Sequence, residues 1–427
     1  MFHLGWFLSF STQAWHAPHS DRGGLFPNTD VYVDFARALE RAGFDYLMIE
    51  DGSFIPDAYG SSMEHSLRTG FASPKHDPMA LVPLLAASTE KIGLIATMTT
   101  SFYPPFLAAR LMTTLDHLSG GRVGFNLVTA HNDRTAQNYG MDKHWDHSER
   151  YAIATDWAQA VTALLTSWDE DAVLDDVVNG VYADHTKIHQ SDYAGTYFSS
   201  RGPLNVPPGP QRIPVICQAG GSPVGRAFAS RFADTIVAPS GTIEWMKQYR
   251  TDIRAGLVDA GRDPDSVKVL FLTDFIIGDT HEDALELQRR RHAEMSADIE
   301  GRLAYMSFAS GIDFAKFDLD APVPPISTNA AKTTTAQMFA GREHQTLREI
   351  AGTIIPSLEI VGSPATAADQ MEAVMAEVGG DGFLVNSPVT PRAIADIAGD
   401  LAPELRRRGL IRSEYSADTL RGNLTAY

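Results

Sequence analysis

Strand and helix signals alternate along almost the whole of this chain, and that rhythm leaves few folds open to it. Residues 2–10 read as a strand, and residues 30–42 as a helix with Tyr32, Phe35, Ala36 and Leu39 on one face, closed by Gly43. Strand 44–50 ends at Asp51, Asp77-Pro78 opens a helix, strand 92–100 follows, Pro104-Pro105 opens the next helix, and strand 122–129 comes after the Gly120-Gly121 turn. Each crossover must return the chain to the same edge, so such a run predicts a parallel sheet covered by helices. A further helix starts at residues 145–149, where Asp146 as N-cap and Glu149 three residues on resemble a capping box. Residues 169–212 then break the rhythm. It resumes with strands at 213–218, 234–238 and 267–277, and, past the helix opened by Ser363-Pro364, at 382–386, before a last helix from Pro391. Eight strands in this order predict an α/β fold of the (β/α)8 TIM barrel type. The chain then reads as one decorated barrel domain over residues 1–427, with long insertions at about 169–212 and 281–356.

The 427 residues exceed the ~250 of a plain barrel, which the two insertions absorb. A composition of 44% apolar and 21% charged residues suits a globular protein with a sizeable core. A formal charge of −18 opposes general attraction to nucleic acid or anionic membranes, and the basic triplets at 289–291 and 406–408 read as solvated helix faces. The apolar N-terminus lacks a basic flank and is too short to span a bilayer, so it reads as a first strand. The single cysteine, Cys217, rules out an intrachain disulfide and a multi-cysteine metal site, and makes a reducing cytoplasm the expected location.

In a parallel barrel, ligands gather at the carboxyl ends of the strands. The strand at 122–129 turns polar there, which brings forward Asn126, Thr129, His131 and Asn132; Thr97 and Thr99, two apart, share a face of their strand, and Asp51 ends another. The stretch Gln218-Ala219-Gly220-Gly221-Ser222-Pro223 ends a strand in two glycines and an N-cap with a proline at the first turn, so backbone N–H groups and the helix dipole could hold a phosphate at Gly221 and Ser222. An ordinary helix start is the alternative, since Ser363-Pro364 repeats the cap. Glycine spacing at 220–225 imitates a P-loop, but Arg226 and Ala227 stand where Lys and Ser or Thr are needed. A dinucleotide fingerprint is also absent. His147 and Tyr151, four apart, share a helix face and could grip a phosphate or a ring. His144 and His147 with Asp142 and Asp146 hint at a metal cluster, but a third histidine at ligand spacing is missing, and a charged loop is the better reading. His16 stands in a loop after the first strand, available as an acid or hydrogen-bond donor.

Taken together as an ordered set, these residues resemble the bacterial luciferase-like superfamily of flavin-dependent monooxygenases, in the branch of nitrilotriacetate and dibenzothiophene-sulfone monooxygenases. The carriers are the strand ending at Asp51, residues 96–100 with 103–106, Gly124-Phe125-Asn126, residues 137–140, Glu149-Arg150-Tyr151, residues 202–205 and residues 218–223. The resemblance implies a barrel that binds reduced FMN supplied by a separate flavin reductase and, with O2, oxygenates a small organic substrate. Asp51, Thr97, His147, Tyr151 and Ser222 would contact FMN, with Ser222 at its phosphate, and Thr99, Asn126 and Gly221 would complete the cofactor set. His16 and His131 are the candidates for steering oxygen or substrate, and either insertion is a candidate lid. Aromatic residues Trp15, Phe54, Tyr59 and Phe102 point to an apolar or aromatic substrate, and a homo-oligomer is expected. Hydride transfer with a deazaflavin, or flavin binding without turnover, are the alternatives. Two departures bear on the substrate: Phe125 stands where the family more often has Trp, and Gly221 where it often has a second Ser.

Overall fold

The structure, a computed structural model, describes residues 1–11, 29–326, 328–330, 332–339, 341–353 and 357–427. Eight parallel strands close into a ring: β1 (His3–Leu8), β2 (Tyr46–Ile49), β3 (Gly93–Thr99), β4 (Val123–Val128), β5 (Val215–Gln218), β6 (Thr235–Pro239), β7 (Lys268–Ile277) and β8 (Gly382–Val385). Closure comes from β8 pairing with β1, where Trp6 lies opposite Val385, and from β6 pairing with β7, where Val237 lies opposite Leu270. The (β/α)8 barrel expected from the alternation is therefore the fold.

The two-residue strand period sorts the side chains. Leu94, Phe125 and Leu127 point outward into the layer shared with the helices, whereas Tyr46, Ile95, Val215, Cys217, Leu270 and Leu384 fill the inside of the ring. Around it lie α1 (Thr29–Ala42), α2 (Pro78–Ser88), α3 (Pro105–Ser119), α4 (His147–Leu165), α5 (Pro223–Phe232), α6 (Ile243–Asp259) and α7 (Pro364–Val378). On α1 the buried face is Tyr32, Phe35, Ala36 and Leu39, as the spacing predicts. Asp77 caps α2 by accepting from the N–H of Met79 at 2.8 Å, and Gly120 ends α3 at φ +63°, a conformation that favours glycine.

A short helix near the C-terminus, Leu420–Leu424, pushes Leu420 and Leu424 into the barrel floor, and a side chain at Gly93 would run into Leu420. Arg412 fixes that segment: its guanidinium reaches Asp45 and the carbonyl of Asn423, while Asp45 also accepts from His3 and from the N–H of Leu4, each at 2.8 Å.

Two local expectations need correction, and the excursion at 169–212 gains detail. The strand Glu359–Gly362, not foreseen, extends the sheet beside the far half of β7, with Ile360 opposite Phe275. Residues 169–212 carry two small antiparallel hairpins, Val173–Asp176 with Val181–Ala183 and Tyr193–Ala194 with Ser199–Ser200, the second held to α4 by Asp156, which accepts from the N–H of Phe198 at 3.0 Å. The capping box at Asp146 does not form: Asp146 makes no side-chain cap bond, and the N–H of His147 instead donates to Asn329 Oδ1 at 3.0 Å. Within 281–356 the helices Ile299–Ser310, Lys332–Phe339 and Leu347–Gly352 gather around Leu303, Met306, Phe314, Met338 and Ile350, whereas His281–Ala297 packs Ala284 against Ile276 and Val361.

Candidate active site

The carboxyl ends of the strands open into a cavity of about 450 Å³. Inward-facing positions of β3 and β4 put Thr97, Thr99, Asn126 and Val128 on its wall, because alternate residues share a face. Thr97 and Asn126 sit opposite each other in register, and Asn126 Nδ2 donates to Thr97 Oγ1 at 3.1 Å. That bond fixes the amide and leaves Asn126 Oδ1 buried with no partner. Gln218, last residue of β5, is in the same state: its Nε2 meets the Tyr151 hydroxyl at 3.5 Å while its Oε1 has none. Buried acceptors without donors are costly unless a ligand supplies them.

Two helix starts meet at one side of the cavity. Ser222 caps α5 by accepting from the N–H of Gly225 at 3.1 Å, with Pro223 at the first helical position. His147 opens α4, its ring 5.3 Å from that of Tyr151, and its Nε2 lies 3.4 Å from Ser222 Oγ. The helices approach so closely that a Cβ at Gly225 would stand 2.7 Å from the Tyr151 hydroxyl. A serine hydroxyl, an imidazole, a phenol and the amides of a helix N-terminus thus surround one small volume, a donor set suited to a phosphate.

Across the cavity the charges are few and at least partly buried. Burial pushes the Asp51 carboxyl up to about 6, against the pull of the Gly52 N–H donating to it at 2.7 Å. Lys75 and Glu50, both on the wall, pair at 2.8 Å. Burial brings His131 down to about 4, so its ring is neutral at pH 7, with Nε2 buried and unpartnered. Arg150 is buried too, and its terminal nitrogens donate to the carbonyls of Trp145 at 2.9 Å and Asn329 at 3.0 Å.

Of the residues singled out in the sequence, Asp51, Thr97, Thr99, Asn126, His131, His147, Tyr151, Gly221 and Ser222 all line this cavity. His16 and Trp15 lie outside the described residues. Phe54 lines the cavity, but Tyr59 and Phe102 do not: Phe102 stacks on Tyr139, ring centroids 4.3 Å apart, and Tyr59 packs into the insertion's own core. His144 donates from Nε2 to the carbonyl of Thr129 at 2.8 Å and accepts at Nδ1 from the N–H of Trp145 at 3.0 Å, which commits both ring nitrogens to the loop. Among the described residues, no group of three or more His, Cys, Asp or Glu could hold a metal ion. Phe125 faces the helices, so its departure from the family pattern leaves the cavity unchanged, whereas Gly221 is on the wall. Sequence reasoning missed Gln218, Lys75, Glu50, Arg150 and Phe308. Gln218 and Arg150 stood inside quoted motifs, and their neighbours drew the attention.

A family model described as luciferase-like monooxygenase matches residues 2–382. The chain belongs to this family. As a luciferase-like chain it is a flavin-dependent monooxygenase by family, and it is 35% identical over 422 residues to a dibenzothiophene-sulfone monooxygenase of Rhodococcus erythropolis, covering 96% of this chain and 92% of that one. It is 33% identical over 408 residues to nitrilotriacetate monooxygenase component A of Aminobacter aminovorans, covering 93% and 90%. Among solved structures, riboflavin lyase with modified FMN and the substrate riboflavin superposes with a TM-score of 0.90 at 30% identity, covering 100% of this chain and 96% of that one. In this luciferase-like barrel no helix among the described residues is long and apolar enough to cross a membrane.

Proposed function

We propose that this chain is the oxygenase component of a two-component system, taking reduced FMN from a separate flavin reductase and using O2 to oxygenate a small organic substrate. One observation carries the reading: the unpartnered buried atoms Asn126 Oδ1 and Gln218 Oε1 share a cavity with the N-terminus of α5. FMN matches that pairing, since its ring edge offers an N–H to buried acceptors and its phosphate is an anion for Ser222, His147, Tyr151 and the α5 amides. The name of the Aminobacter relative, a component A, supports a divided system, as does the absence of a G-x-G-x-x-G fingerprint for a nicotinamide.

Bound FMN in its reduced form supplies the electrons with which O2 is split, one oxygen atom going to substrate and one to water. The chain's own work is binding, orientation and exclusion of water. Thr97 holds the Asn126 amide in one orientation. Asp51 keeps a proton to about pH 6 and so can donate below that pH and accept above it. His131, neutral at working pH, offers an unpartnered ring nitrogen to a bound molecule without adding charge. Phe7, Met48 and Leu272 give the cavity an apolar lining against solvent.

Anaerobic titration with chemically reduced FMN, followed by admission of O2 with candidate substrates, tests the proposal. Binding of reduced FMN and substrate-dependent oxygen incorporation are expected. Binding of a deazaflavin but not FMN would replace the reading with hydride transfer.

A further inference from the structure

The cavity just described is only the inner of two. An outer chamber of about 490 Å³ adjoins it, and the two share Phe54, His131, Asn132, Phe308 and Ala330. Each chamber is in the size range of one small ligand. The described cofactor candidates line the inner chamber, and of the residues selected in the sequence only Phe54, His131 and Asn132 line both. A cofactor seated in the inner chamber therefore leaves a second molecule the shared neck and the space beyond it.

The neck is aromatic and braced. Phe308, from the insertion helix Ile299–Ser310, runs parallel to Phe54, with 7° between ring planes and 5.8 Å between centroids. His131 meets Phe308 edge-on at 5.8 Å, and Phe71 meets it edge-on at 5.5 Å. Packing on these sides holds the Phe308 ring in place, so the aromatic wall that it lends to both chambers is set before a ligand arrives. The outer chamber beyond carries Asp57, Asp133 and Asp313 against one lining cation, Arg134, which Asp57 already engages at 3.0 Å. Lys316 meets Asp313 at 3.3 Å from outside the lining, so the balance stays acidic. A multiply anionic molecule entering there meets like charge in a partly enclosed space, whereas a neutral one does not.

We propose that the outer chamber is the substrate site, and that its neck of Phe54, His131 and Phe308 selects planar aromatic molecules carrying no negative charge. This rests on the reading of the inner chamber as the FMN site. It makes Phe308 and Phe54 specificity-determining residues, placed to offer a ring face where the substrate approaches the cofactor.

Binding to the full chain tests it, with and without reduced FMN under anaerobic conditions, using uncharged bicyclic and tricyclic aromatics, dibenzothiophene sulfone among them, and nitrilotriacetate as the polyanion. At least one uncharged probe should bind 50-fold or more tightly than nitrilotriacetate. Phe308→Ala should weaken that probe tenfold or more, and at least fivefold more than it weakens reduced FMN. Phe308→Tyr should restore probe binding, which separates a lost ring face from a misfolded insertion. Asp57→Asn should raise nitrilotriacetate affinity several-fold. Nitrilotriacetate binding as tightly as the aromatics, none of the aromatics binding, or Phe308→Ala leaving probe affinity unchanged would overturn the proposal. If reduced FMN fails to bind while the aromatics still show the Phe308 dependence, the cofactor reading fails and the outer site stands.

Discussion

Nε2 of His147 lies 3.4 Å from Oγ of Ser222, so the first residue of α4 touches the cap of α5 although 75 positions separate them. Two helix starts brought together in this way concentrate donors and positive dipole ends in one place, where an anion is stabilised more than at either alone.

Ser222→Ala removes a hydroxyl that both caps α5 and faces that meeting point. Reduced FMN affinity should fall by ~1 kcal/mol or more, about fivefold, with a loss of stability of about 1 kcal/mol from the missing cap. Titration of the variant checks it, and an unchanged affinity would reject Ser222 as a phosphate ligand.

Replacing His147 by Ala or Tyr151 by Phe should weaken FMN binding more than it weakens folding, because both side chains face the cavity from one side of α4. Urea unfolding and flavin titration on the same preparations give the comparison. Should the two variants lose only unfolding midpoint and keep their affinity, these residues are packing groups.

Asp51 gives a pH dependence with a definite sign. Its folded-state carboxyl is raised from 3.8 to about 6, so the folded chain holds a proton that the unfolded chain has released. Stability should therefore fall as pH rises through that window and level off above it, the full effect being at most ~3 kcal/mol. Asp51→Asn should flatten this part of the curve and stabilise the protein above pH 6. Denaturant unfolding of both proteins from about pH 4 to 7 measures it, and parallel curves would show that Asp51 does not titrate there.

Turnover should need an outside source of reduced flavin. The purified chain with NADH and oxidised FMN should stay inactive until a flavin reductase or chemically reduced FMN is added. Robust turnover without either, unaffected by added reductase, would end the two-component reading.

The barrel was legible because its signals are local. Each strand is a short apolar run between turn residues, and Asp77-Pro78, Ser222-Pro223 and Ser363-Pro364 mark helix starts with bonds made inside four residues. The inner chamber was legible for a related reason: strand periodicity puts Thr97, Thr99 and Asn126 on one wall once the barrel is granted. What escaped depends on distant partners. Asp146 has the sequence of a capping residue but makes no cap bond, and the helix start is held instead through the N–H of His147, which donates to Asn329, 182 positions on. Phe308 sits in a helix with no periodic mark of its role, and Lys75 reaches the wall only through tertiary packing. Glu359–Gly362 is four residues with a charge at one end, too short to stand out from the insertion before it.

The floor of the barrel sets the route of access. With Leu420 and Leu424 driven into the ring from below and held there through Arg412 and Asp45, passage through the barrel axis is shut at that end. Whatever enters the ring must then come and leave by the face at the carboxyl ends of the strands, so cofactor and substrate cannot take opposite routes through the barrel axis.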